Sequence, residues 1–242
     1  MMKRSLLGML TPSSNTVLEP ITTAILDELP EVTAHFARFR VTEISLADKA
    51  QGQFTNQPIL DAAALLADAR VDVIAWSGTS SGWLGFATDE ALCQEIQQLT
   101  GIPATTSVLA LNEIFRITAV RRFGLVTPYL DEIQERIIAN YASLGFECVS
   151  ERHLGDRGNF SFSEVSESKI AEMVREVAAA KPQAITVFCT NLRGAPIADA
   201  LEKETGIAVY DTVSTAVWKS LKIAGVQPAR VKGWGRLFAE VE

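Results

Sequence analysis

Two short stretches hold the residue types that do chemistry. TVFCTNLRG, residues 186–194, ends an apolar run on Cys189 and follows it with Thr190, Asn191 and, at its end, a glycine. IAWSGTSSG, residues 74–82, has the same outline with Gly78 where the thiol would stand. A cysteine closing a buried strand is ordinarily an inert small hydrophobe. Thr190 and Asn191 are poor core residues, however, and backbone N–H groups at the start of a following helix favour a thiolate or bind an anion. Cys189 is therefore the candidate catalytic residue, as general acid or as nucleophile. SGTSSG offers short hydroxyl donors and exposed N–H groups, which suit a carboxylate or a developing oxyanion, and the bland alternative is an ordinary strand-to-helix loop. It is not GxGxxG, and no P-loop lysine is present, so nucleotide binding is not indicated.

Other candidates sit in matching loops. In TPSSN, Pro12 fixes a turn and the Asn15 amide can donate to a carboxylate, while Ser13 or Asn15 can equally cap the helix that begins near Val17. Tyr129, in TPYLD, is the counterpart of Ser13 and should send its hydroxyl into the same place. Arg38 and Arg40, in ARFRV, share one face if that segment is a strand, as a carboxylate clamp or as a solvated basic edge. Cys93 and Cys148 follow helix and strand patterns that read as packing, and His153 reads as surface.

The elements that must position these residues come in two sets. Val/Ile-rich runs alternate with longer helical patterns, which argues for parallel sheets covered by helices. LGMLTP at 7–12 is echoed by FGLVTP at 123–128, VIAWSGT at 73–79 by ITVFCT at 185–190, and LTGI at 99–102 by ETGI at 204–207. The pattern predicts an α/β chain of two pseudo-twofold-related lobes, each a small parallel sheet flanked by helices, with the active site in the cleft between them. The N-terminal lobe is placed at 1–115 and the C-terminal lobe at 116–242, with residues of about 211–242 packing back on the first. Ligands bind outside the carboxyl ends of such strands, so Gly78 and Cys189 should face each other across the cleft.

Composition excludes several classes. The net charge is −7, and no Lys/Arg cluster exceeds a short pair, so nucleic acid is not an expected partner. MMKRSLLGML is followed at once by polar TPSSN and reads as a strand, not a signal peptide. No 18-residue apolar span is present, so no membrane is expected. Three widely spaced cysteines fit neither a disulfide framework nor a zinc site and suit a reducing cytoplasm; two histidines supply a metal site poorly. No cofactor is called for. A homo-oligomer is compatible with the sequence, but no apolar stripe marks an interface.

TPSSNTVLEP, VTPYLDEIQERI and GWGRLF, together with the doubled lobes, resemble the aspartate/glutamate racemase superfamily, in the branch of maleate cis–trans isomerases and arylmalonate decarboxylases. The likeness runs over nearly the whole chain. TPSSNT is similar to the isomerase loop; GTSS behind a glycine, and GWGRLF, are similar to the decarboxylase. Racemases of this superfamily place one cysteine on each face of the substrate carbon, whereas arylmalonate decarboxylases have glycine first and cysteine second. The resemblance implies a cofactor-independent decarboxylase of a substituted malonate-type dicarboxylate, in which Cys189 protonates an enediolate. Thr79, Ser80 and Tyr129, with backbone N–H groups at Cys189 and Thr190, would form the oxyanion site, and Gly78 would leave the opposite face open. The polar loop departs from the decarboxylases: Asn15, Asn159 and the Arg38/Arg40 pair are similar to the isomerases' means of holding a second carboxylate, with Pro12 and Ser13 at the pocket. The alternatives implied are a maleate-type isomerase using Cys189 as nucleophile, or a non-catalytic relative that binds a small mono- or dicarboxylate. Residues 36–60 and 153–168 should supply the wall that selects the substrate.

Overall fold

In the computed structural model, which describes residues 4–41 and 56–242, the strand–helix alternation builds two four-stranded parallel sheets. The first half runs β1 (Ser5–Pro12), α1 (Leu18–Leu26), β2 (Val32–Phe39), α2 (Gln57–Asp68), β3 (Val73–Trp76), α3 (Ser81–Leu84), α4 (Ala87–Thr100), β4 (Ala104–Thr106) and α5 (Ser107–Ile117). The second runs β5 (Arg122–Thr127), α6 (Asp131–Ser143), β6 (Glu147–His153), α7 (Glu167–Ala178), β7 (Ala184–Val187), α8 (Ala195–Thr205), β8 (Ala208–Asp211), α9 (Thr212–Ile223) and α10 (Arg236–Glu240). The sheet orders are β2-β1-β3-β4 and β6-β5-β7-β8, one topology used twice.

The halves agree in register as well as order. Leu7 pairs with Val73 and Phe123 with Ala184; Ile74 pairs with Ala104 and Ile185 with Val209. The echo in LTGI and ETGI has a backbone cause. Gly101 (φ 74°) and Gly206 (φ 73°) end α4 and α8 in the left-handed region, where a side chain is strained and glycine is not. In both halves the last strand passes straight into a helix capped by the strand's final residue. The Thr106 hydroxyl accepts from Leu109 N–H, and the Asp211 carboxylate from Val213 and Ser214 N–H.

One apolar core runs through both halves, with Phe115, Phe123, Tyr141, Phe146 and Trp218 among its members. Truncation of a buried phenylalanine such as Phe115 to alanine would cost about 3–5 kcal/mol. A second, smaller core of Leu10, Phe39, Ile59, Leu66, Trp76 and Leu92 lies against the first sheet, with residues drawn from α2 and α4. Helix α9 packs on α5, α1 and β3, and its Trp218 indole N–H donates to the Val241 carbonyl, tying down the C-terminus. The GWGRLF segment is anchored on buried Glu202, whose carboxylate accepts the N–H groups of Arg236 and Val209. Among the described residues no helix is long and apolar enough to cross a membrane.

Candidate active site

The β3–α3 and β7–α8 loops meet. The Thr190 hydroxyl donates to the Ser77 carbonyl at 3.1 Å, which brings the residue after Cys189 against the residue before Gly78. Tyr129, from the β5–α6 loop, closes the other side: its hydroxyl lies 2.6 Å from Thr79 Oγ1 and hydrogen-bonds the Cys189 thiol. The Tyr129 ring is buried edge-on against Trp83 and Phe162, so the hydroxyl is held by packing.

Cys189 is 3% exposed. Burial pushes its thiol up to about 12, against the opposing pull of hydrogen bonds from Tyr129 and the Asn191 and Leu192 N–H groups, with buried Asp211 adding to the rise. At neutral pH the group is therefore a thiol, carrying the proton an acid needs. Asp211 is itself held up to about 7 by burial, although the N–H groups of Val213, Ser214 and Ala195 draw it down. Desolvation raises the Tyr129 phenol well above its usual range, so it too stays protonated.

Both loops carry backbone donors that are unspent. Among the described residues no acceptor takes the N–H groups of Gly78, Thr79, Ser80, Cys189 or Thr190. Buried N–H groups are normally paired, and free donors in two loops that meet are of the kind that suits an anion. Ser80, at the start of α3, is partly exposed beside them. The loop is braced from behind by Asp89 of α4, whose carboxylate accepts the hydroxyls of Ser81 (2.8 Å) and Thr106 (2.5 Å).

The polar TPSSN loop is largely occupied with structure. Asn15 Oδ1 accepts from Val17 and Leu18 N–H at the start of α1, and its amide donates to Thr190 Oγ1 at 3.2 Å. It caps the helix and joins the two loops at once. Pro12 is buried at the end of β1, opposite Phe39. Ser13 is exposed and exchanges hydrogen bonds with the backbone of Val41, unlike its buried counterpart Tyr129. Arg38 pairs with Glu19 at 2.8 Å and donates to the Ser13 carbonyl, the arrangement of a solvated edge that steadies the loop. Arg40 is exposed just beyond β2.

Asn191 does work its sequence position did not disclose. Its carbonyl oxygen accepts Thr16 N–H, its amide donates to the Asn159 carbonyl at 2.5 Å, and its own N–H points at Cys189 Sγ. The side chain thus ties the first-half loop to the loop before α7, and the backbone N–H of the same residue reaches the thiol. Asn159 is buried, and among the described residues its side-chain amide has no hydrogen-bond partner. His153 bridges Glu151 and Asp131 away from this group. Cys93 and Cys148 are half-buried, each pushed up to about 12 chiefly by desolvation. Of the expected specificity wall, residues 42–55 lie outside the described residues.

The opening expected beside Gly78 is filled. A Cβ built there would lie 2.0 Å from Cζ2 of Trp76, because the indole covers that side of the glycine. The absent side chain leaves a packed aromatic face and not free space.

A family model described as arylmalonate decarboxylase matches residues 15–238. The chain belongs to this family. It is 28% identical over 187 residues to the arylmalonate decarboxylase of Bordetella bronchiseptica, covering 76% of this chain and 78% of that protein. The maleate isomerase of Geobacillus stearothermophilus is 24% identical over 236 residues, 92% of each chain. The fold matches that of a Nocardia farcinica maleate cis–trans isomerase variant with a covalently bound succinylcysteine intermediate, at TM-score 0.87 and 23% identity over 98% of this chain and 99% of that one. The chain is thus an enzyme of the arylmalonate decarboxylase and maleate isomerase type.

Proposed function

We propose that the enzyme removes carbon dioxide from a substituted malonate without a cofactor, with Cys189 protonating the carbon left behind. The observation that supports the reading is one buried thiol, held protonated, in a loop that meets the loop of Gly78, with unpaired N–H groups in both loops. One carboxylate of the substrate binds to the N–H groups of 78–80 and 189–190 and to the hydroxyls of Thr79 and Tyr129. The bond from the α-carbon to the other carboxylate breaks, its electron pair enters the retained carboxylate as an enediolate, and carbon dioxide leaves. The same donors stabilise the enediolate charge as it develops. Cys189 S–H then gives its proton to the α-carbon, and the thiolate, strongly basic in this setting, takes a proton from solvent.

A second reading has its own observation. Thr190, Asn191, Asn15 and Asn159 are buried polar groups around the thiol, which suits a small polar diacid better than an aromatic one. Under that reading Cys189 adds as a thiolate to the double bond of a maleate-like substrate. A thiol held near 12 is poorly prepared for this, since only a small fraction is ionised at neutral pH.

Quenched mixtures analysed by intact mass and by gas evolution test the choice. Carbon dioxide from phenylmalonate or methylmalonate with an unmodified protein mass, abolished in Cys189→Ala, supports decarboxylation. A succinyl adduct on Cys189 with maleate, and no gas from either malonate, would sink it.

A further inference from the structure

A side chain at position 78 would meet the indole of Trp76. The backbone at Gly78 is not in the left-handed region, so its φ does not exclude a side chain. The indole does: a Cβ on Gly78 would come within 2.0–2.5 Å of Cζ2, Cε2 and Cη2. In the second half the sizes are exchanged. The matching registers of β3 and β7 align Trp76 with Val187 and Gly78 with Cys189. Residues two apart along an extended chain project to the same side. One half therefore carries a large ring and then nothing, the other a small valine and then a thiol.

The indole is well fixed. Trp76 is 5% exposed, its ring centroid lies 5.0 Å from that of Phe39, and it packs with Leu10, Ile59 and Leu92. It also lines a cavity of about 260 Å³ with Ile59, Ser80, Leu84 and Leu92, so a smaller residue at 76 would open the Gly78 side onto existing space. Gly78 lies between Ser77 and Thr79, which contact Thr190 and Tyr129, the two residues that flank Cys189.

We infer that Trp76 makes the site one-sided: its indole occupies the place of a second acid and shields that face of the planar intermediate, leaving Cys189 as the sole proton source. This rests on the reading of an α-carbon reaction given above. No further reactant enters, since the proton moves from sulfur to carbon and the thiolate regains one from solvent.

Two measurements test it. Thermal melting is read for Gly78→Ala in the native and the Trp76→Ala backgrounds. Deuterium uptake at the α-carbon of 2-phenylpropionate in heavy water is read for Gly78→Cys and for Gly78→Cys combined with Trp76→Ala. Gly78→Ala should lower Tm by about 5 °C beside the indole and by less than half of that beside alanine, since the overpacking is relieved. Exchange in the double variant should exceed that in Gly78→Cys by about tenfold or more. Equal melting penalties in the two backgrounds, or Gly78→Cys alone exchanging as fast as the double variant, would overturn the proposal. A folded but inert double variant, from an enzyme whose native form turns over phenylmalonate, would overturn it too. If the native enzyme leaves phenylmalonate untouched, the reading of the reaction has failed, and the melting pair alone decides the role of the indole.

Discussion

Replacing Tyr129 by phenylalanine removes one oxygen and keeps the ring that Trp83 and Phe162 hold edge-on. That oxygen contacts Thr79 Oγ1 at 2.6 Å and the Cys189 thiol, so its loss acts on stability and on turnover separately. The Thr79 hydroxyl is left buried without this partner, which costs about 1–3 kcal/mol and, in a chain of this size, lowers Tm by about 2–12 °C. The enediolate loses one pre-aimed donor, worth about 10²–10³ in kcat, or roughly 3–4 kcal/mol. Because the donor matters most once charge has developed, kcat should fall by far more than KM rises. Steady-state kinetics on the best malonate, with melting curves of both proteins, read the two effects. A kcat within about fivefold of native, in a protein whose Tm has dropped as expected, would show that Tyr129 only supports the thiol loop.

Turnover should also report the state of the thiol. With Cys189 held near 12, its acid form persists through the alkaline range, so between about pH 8 and about pH 10 the rate should not climb on its account; a rise of about tenfold per pH unit would mark a thiolate as the working species. Asp89→Asn keeps an acceptor for Ser81 and Thr106 but cannot ionise. In the native protein burial raises the Asp89 carboxyl from its ordinary 3.8 to about 6. The folded state therefore binds more protons than the unfolded one in that window, and stability falls as pH rises through it, by up to about 3 kcal/mol from this group. Urea titrations at about pH 4 and about pH 7 should show a smaller drop in the variant; an unchanged drop would refute the assignment. Asn191→Ala breaks the link from Thr16 N–H to the Asn159 carbonyl. KM should rise about tenfold or more with a smaller change in kcat, and an unaltered KM would mean that the two loops are placed without it.

Much of the architecture was legible because the chain states it twice. LTGI and ETGI mark two helix ends that require a left-handed glycine, and the Val/Ile-rich runs mark strands covered on both faces. The candidate site was legible as far as its local signals reached: a thiol after a buried strand, hydroxyls after its twin, and a tyrosine at the repeat position of Ser13. What stayed hidden depends on contacts between distant segments. Asn15 could be a cap or a ligand on sequence alone, and only the fold shows its carbonyl on α1 and its amide on Thr190. Asp89 reads as an ordinary first-turn acid until α4 swings it under SGTSSG. Trp76 reads as one more core residue, since its effect on Gly78 depends on how Phe39 orients the ring from the neighbouring face. Arg38 has a partner, Glu19, that no spacing rule would have chosen.

The role of Cys189 as proton donor is tested by a proton NMR time course in heavy water, with native enzyme and Cys189→Ala each given phenylmalonate, methylmalonate and maleate. The native enzyme should convert a malonate into a singly deuterated acid of one hand, Cys189→Ala should not, and maleate should stay unchanged. Fumarate from maleate, with both malonates intact, would contradict it and assign Cys189 to addition across a double bond.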